Sequence, residues 1–146
     1  MVEPHVIGAE HPERPSLSPP LDLGRRTKSF ALRIIRLYGA LPKSTVAQVL
    51  GTQILRSGTS VGSHYREGSR GRSNAEFISK LEGGLQELEE TTYWMELIIE
   101  ANILGGARLA TLMDEARQLN AILTTCVKRA KLRPRHSVAR TKERTK

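Results

Sequence analysis

Only one cysteine, Cys126, occurs in the 146 residues. It excludes an intramolecular disulfide and any metal site built from a cysteine cluster. Aromatic residues make up 4% of the chain and amount to Phe30, Tyr38, Tyr65, Phe77, Tyr93 and Trp94. That is too few for a platform on which successive nucleobases stack. No apolar run approaches the roughly 18 residues of a membrane span, and no charged-then-apolar opening marks a signal peptide. The expected setting is therefore the cytoplasm, with no membrane partner.

Chemistry is also thinly provided for. His5, His11 and His136 fall outside the segments with helical periodicity, which leaves His64. A di-iron bundle needs two Glu-x-x-His motifs and two further glutamates, and the chain has none of the first. It contains no Walker-type phosphate loop, no Gly-x-Ser-x-Gly and no His-Glu-x-x-His. His64 and Glu67 read as a hydrogen-bonded structural pair rather than an acid-base couple. Cys126 falls on an apolar stripe and reads as a buried thiol. The sequence points to a protein that is not an enzyme and holds neither cofactor nor metal.

What is present is helix and positive charge. Residues 1–20 hold Pro4, Pro12, Pro15, Pro19 and Pro20, and are expected to be a disordered leader. Residues 134–146 are expected to be a basic disordered tail, and 21–133 a single domain of four helices. Asp22 is a fitting N-cap. Leu23, Thr27, Phe30, Ile34, Leu37 and Leu41 then recur every three or four residues, one stripe of a helix. Pro42 breaks it and Ser44 caps the next, expected over 45–67 with Val46, Val49, Leu50, Ile54, Ser57 and Val61 inward. A third helix is expected over 74–101, opened by a Ser73–Glu76 capping box. Its inward set is Phe77, Leu81, Leu85 or Gly84, Leu88, Thr92, Met95 and Ile99. Gly83 and Gly84 lie within it at a cost of about 1 kcal/mol each relative to alanine, which implies close approach of a neighbouring backbone. The fourth helix is expected over 107–133, with Leu109, Leu112, Ala116, Leu119, Leu123, Cys126 and Ala130 inward. The fold class is all-α, an antiparallel up-down-up-down four-helix bundle.

The chain carries 23 basic and 15 acidic residues, net +8. Nine bases and one acid lie between Lys128 and Lys146, a density that suits an anionic partner. On a helical wheel Arg25, Arg26, Arg33 and Arg36 fall within about 100° of one another. The third helix is the opposite, with Glu76, Glu82, Glu87, Glu89, Glu90, Glu96 and Glu100 against Lys80 alone. Two readings of the arginine row stay open. It is a phosphate-binding strip, or Arg26 and Arg33 pair with an acidic row as flanking charges do in coiled coils. Candidate nucleic-acid contacts are these four arginines with Arg70, Arg72, Lys128, Arg129, Lys131, Arg133 and Arg135. The expected binding is phosphate-directed and largely indifferent to sequence.

The third helix is apolar on more than one face. Tyr93, Trp94, Leu97 and Ile98 project outside its stripe, which implies a second partner. Ser57, Gly58, Ser60, Gly62 and Ser63 put small side chains almost all round one stretch of the second helix, suited to close helix contact. Arg56 and Glu67 stand about 16 Å apart along that helix, so each must pair with another helix or subunit. The candidate oligomer interface is Arg56, Ser57, Ser60, Glu67, Tyr93, Trp94 and Leu97. The competing reading is a structural oligomer that serves as a protein scaffold with no nucleic-acid role.

Three stretches carry a family resemblance: Arg56 to Gly68 (RSGTSVGSHYREG), Ser73 to Leu81 (SNAEFISKL) and Glu87 to Leu97 (ELEETTYWMEL). Together they resemble the bacterial four-helix-bundle family of proteins encoded in intervening sequences of 23S rRNA genes, which includes the accessory variability protein of diversity-generating retroelements. The match spans about Leu23 to Leu132. It departs from the family pattern at His64, where asparagine is usual, and at Glu82-Gly83-Gly84, where small and apolar residues are usual. The resemblance implies a homopentameric barrel, a basic surface that binds RNA or DNA, and in retroelements a reverse transcriptase partner.

Overall fold

The computed structural model describes residues 22–134. The expected leader, the tail beyond Pro134 and Arg135 lie outside the described residues. Four helices follow one another: α1 (Leu23–Ala40), α2 (Thr45–Ser69), α3 (Asn74–Glu100) and α4 (Gly106–Lys131). Each packs on its neighbours in sequence, and α4 closes on α1. Among the described residues no Cα of α1 comes within 8 Å of one in α3, nor any of α2 within 8 Å of one in α4, so the cross-section is a square with α1 and α3 on one diagonal. The α2–α3 seam is the most extensive and the α1–α4 seam the sparsest.

Local chemistry sets the helix starts. Asp22 Oδ1 accepts from Arg25 N at 3.0 Å, Ser44 Oγ from Ala47 N at 3.3 Å and Ser73 Oγ from Glu76 N at 3.1 Å. The return arm of the expected capping box is displaced by one residue. Glu76 Oε2 accepts from Arg72 N at 3.0 Å rather than from Ser73. α3 ends on Asn102, whose φ of 57° is left-handed. Ile103 N then reaches Ile98 O and Asn102 N reaches Ile99 O, both at 3.0 Å. This pair of bonds satisfies two otherwise orphaned carbonyls. α2 runs two residues past its expected end, while α3 stops one short and α4 two short.

The core holds Phe30, Ile34, Ile54, Val61, Leu81, Leu88, Met95, Ile98, Leu119 and Leu123. The α1 stripe is buried as expected. Of the α2 stripe Ile54, Ser57 and Val61 are buried as expected and Leu50 is half-buried, but the start of the stripe is not buried. Val46 and Val49 point to solvent, 60% and 57% exposed, while Ala47 and Gly51 face inward. The cause is the tight α1–α2 turn. A Cβ on Gly51 would stand 2.6 Å from Leu41 Cδ1, and one on Gly58 would stand 2.7 Å from Ile34 Cγ1, so only small residues fit there. α3 buries Thr91 and Ile98 where Thr92 and Ile99 were expected, and Gly84 of the Leu85–Gly84 alternatives, and Phe77 is only half-buried. On α4 Val127 takes the core place expected for Cys126, which is half-buried.

Candidate nucleic-acid interface

The up-down topology brings the start of α1, the end of α2, the start of α3 and the end of α4 to one end of the bundle. Asn74 Nδ2 ties that end together, donating to Ala130 O at 2.7 Å. Here lie Arg25, Lys28, Arg66, Arg70, Arg72, Lys128, Arg129 and Arg133. All are exposed. Among the described residues the only carboxylate within ion-pair range of these side chains is Asp22, 4.0 Å from Arg25 Nε, while Glu76 meets the backbone N of Arg72.

Other cations at this end are already matched. Lys131 Nζ sits 2.7 Å from Glu82 Oε1, and Lys80 Nζ sits 2.7 Å from Glu67 Oε2. Arg26 is bound most completely. Its Nε and Nη2 donate to the two Glu115 oxygens at 2.7 and 3.1 Å, and Nη2 also reaches Gln118 Oε1 at 2.8 Å. The hydrogen bond to Glu115 raises the Arg26 pKa, against the lowering effect of burial. Arg26 therefore pairs across the α1–α4 seam, not with the acidic row of α3, which lies on the far diagonal. Arg26 and Lys131 are poorer phosphate contacts than their positions in the sequence suggest.

Arg33 and Arg36 lie elsewhere. They line a groove of about 320 Å³ between the C-terminal half of α1 and the first turns of α4, together with Arg108. Arg33 Nη2 donates to Thr111 Oγ1 at 3.0 Å. The sequence reading missed Arg108, and also Lys28 and Arg66, which face each other across a groove on the α1–α2 seam. Helical register between neighbouring elements is the signal that places them, and no single helical wheel contains it.

The residues expected at an oligomer interface divide. Ser57 is fully buried, its hydroxyl accepting from Thr91 Oγ1 at 2.8 Å, so it has no surface to offer a second copy. Gly58 and Gly62 are likewise spent inside the protomer, against Ile34 and Thr27. Ile98 belongs to the core. Arg56 joins Glu87 and Glu90 of α3, and Trp94 Nε1 donates to the same Glu90 at 3.1 Å. Glu67 meets Lys80 and Ser63 and makes no bond to His64, contrary to the pair expected from the sequence.

Ser60 is half-buried, its hydroxyl turned back on Arg56 O. Tyr93 is 53% exposed, and its ring centroid lies 5.3 Å from that of half-buried Trp94. Leu97 is half-buried too. Ser57 lies opposite Thr91, and α2 runs antiparallel to α3. Val49 and Val46 therefore lie opposite the last turn of α3, beside Leu97. These apolar side chains thus gather as a strip toward the end of the α2–α3 pair remote from the basic one, and Tyr93 also borders the α3–α4 groove beside Glu96 and Arg117.

Among the described residues no helix is long and apolar enough to cross a membrane, and no three or more potential metal ligands gather. No match is found among curated proteins. One solved structure, a protein of unknown function from the S23 ribosomal protein family of Bacteroides thetaiotaomicron VPI-5482, is 35% identical. It aligns over 73% of this chain and 98% of its own, with a TM-score of 0.69. The model of the 23S rRNA-intervening sequence protein family matches residues 20–125, and the chain belongs to that family.

Proposed function

We propose that the protein is a non-catalytic, self-associating bundle that binds nucleic acid by its phosphates, with ribosomal RNA as the first partner to test. One observation carries this reading. Arg66, Arg70, Arg72, Lys128, Arg129 and Arg133 meet at one end of the bundle with no carboxylate in ion-pair range among the described residues. By contrast Arg56, Lys80 and Lys131 of the same helices have found acids. The exposed cations repel one another, and a polyanion relieves that repulsion while releasing its counterions. Their long, exposed side chains suit phosphate contact, and nothing rigid presents a base-reading fork.

The test is the salt dependence of binding to an rRNA fragment and to a scrambled RNA of equal length. With about six phosphates neutralised, affinity falls on the order of a thousandfold between 50 and 200 mM salt. Both RNAs are expected to behave alike. An affinity unchanged by salt overturns the reading.

The apolar strip of Val46, Val49, Tyr93, Trp94 and Leu97 supports self-association, since exposed apolar surface of this kind marks an interaction site. A ring of five copies is the form that the family resemblance favours, and native mass measurement tests it. The same strip favours the second reading, a protein scaffold without a nucleic-acid role. Co-purified material absorbing near 260 nm, removed by high salt, separates the two. A reverse transcriptase partner rests on the resemblance alone, and co-elution with one tests it.

A further inference from the structure

The α1–α4 seam contains one matched pair and one mismatched pair in the same register. Arg26 on α1 faces Glu115 on α4. One heptad further along α1 is Arg33, and one heptad back along antiparallel α4 is Arg108. The position that would repeat the ion pair holds a second arginine instead. Arg36 joins them, so three guanidinium groups line one groove with no carboxylate in its wall.

One further feature at this place is unfavourable in the same sense. Arg108 sits in the first turn of α4, where the helix dipole disfavours a cation. Gly105 gives that turn no side-chain cap, and the Arg108 N–H is satisfied by Gly105 O at 3.1 Å. The groove is otherwise in order. Arg33 is already held by Thr111, and Leu37, Leu109 and Leu112 form a buried apolar floor.

We infer that this groove binds a phosphate oxyanion through Arg33, Arg36 and Arg108, with the Thr111 hydroxyl as a further donor. One ligand offsets both defects: it neutralises the arginines and complements the helix dipole. Its source is either the backbone of a nucleic acid or a small phosphorylated molecule whose organic part rests on the apolar floor. For Arg33 and Arg36 the inference rests on the phosphate-directed reading above. It is independent of the basic end, because Arg108 belongs to the opposite end of the bundle.

The experiment is thermal unfolding of the full chain in inorganic phosphate and in chloride at matched ionic strength. A ligand that binds only the folded state raises Tm. The wild type is expected to melt a few degrees higher in phosphate. Lys43→Glu, which makes the same charge change at the same end of the bundle outside the groove, is expected to keep that shift. Arg108→Glu is expected to lose it, and to melt higher than the wild type in phosphate-free buffer, because it restores the Arg26–Glu115 pattern at Arg33. No phosphate-specific shift in the wild type, or an undiminished shift in Arg108→Glu, overturns the inference.

A 5′-mononucleotide and its unphosphorylated nucleoside then separate the sources. A mononucleotide displaced by a short oligonucleotide in the wild type indicates backbone phosphate, and one that is not displaced indicates a small ligand. Neutralising Arg70, Arg72 and Arg129 together weakens RNA binding at the basic end and leaves the phosphate shift intact, so the two proposals fail separately.

Discussion

The imidazole of His64 occupies the space that Gly83 leaves open: a Cβ on Gly83 would stand 3.0 Å from both His64 Cε1 and Nδ1. Gly84 is nearly as close, its Cβ position 3.3 Å from His64 Cβ. The glycine pair in α3 thus admits a side chain from α2, and at Gly84 also the neighbouring backbone that the sequence implied, Val61 O standing 3.6 Å from its Cβ position. His64 Nδ1 is buried there without a hydrogen-bond partner. Gly83→Ala should therefore gain much less than the roughly 1 kcal/mol that alanine brings to a helix interior. In a His64→Ala background the gain should be recovered. A double-mutant cycle by urea denaturation is expected to give a coupling of about 1 kcal/mol, and a coupling near zero contradicts the packing.

The reach of the sequence varied by element, for physical reasons. The α1 stripe was fully legible because its apolar residues recur every three or four positions with arginines beside them, although Leu32 and Ile35 lie outside it and are exposed. In α3 Leu81, Leu88 and Met95 were legible, but the flanks of the stripe were not, because the helix is apolar on two sides. Gly84, Thr91 and Ile98 are the residues buried there, two of which look like poor core residues in isolation. The caps at Asp22, Ser44 and Ser73 were legible because they are local. The pairs Arg26–Glu115, Lys80–Glu67 and Arg56–Glu90 were not, since each depends on the register between two helices. The basic end was half visible: Lys128 to Arg133 form a run in the chain, whereas Arg66 and Lys28 join it only through folding.

Arg26 and Glu115 are the best-shielded ion pair on the α1–α4 seam, with side chains 24% and 19% exposed. Two hydrogen bonds to a carboxylate, plus a third to Gln118, hold the sparsest contact of the bundle. Glu115→Gln should cost about 1–2 kcal/mol, and high salt should diminish the loss only weakly. Asp22→Asn keeps the N-cap acceptor, since Asn caps as well as Asp, and should therefore show no measurable cost from losing the exposed pair with Arg25.

Glu67 and Lys80 set a dependence on pH at both extremes. The Lys80 hydrogen bond, followed by its charge, lowers the Glu67 pKa, and the Glu67 hydrogen bond and charge raise that of Lys80. A depressed carboxylate adds stability above its ordinary range and loses it as pH falls through the folded value. A raised lysine adds stability below its ordinary value and loses it as pH rises through the folded one. Both groups are solvent-exposed, so the effect is small and salt-sensitive. Glu67→Gln is expected to flatten the urea midpoint at both ends of the pH range relative to wild type. Unchanged curvature would show that the pair contributes nothing.

Val49 separates assembly from folding. It is 57% exposed on the protomer, so Val49→Glu should change protomer stability by no more than about 0.5 kcal/mol. If the strip that it shares with Trp94 and Leu97 is covered by another copy, a carboxylate there is buried on association without a partner, which is costly. The expected result is a wild type that scatters light as an oligomer and a Val49→Glu protein that scatters as a smaller species with unchanged helicity. Tyr93→Glu, on the same strip, should act alike. Val49→Ala should leave the assembly largely intact, because it removes little area and adds no charge. An assembly indifferent to both glutamates would place the contact on another face, and the strip would then belong to a different partner.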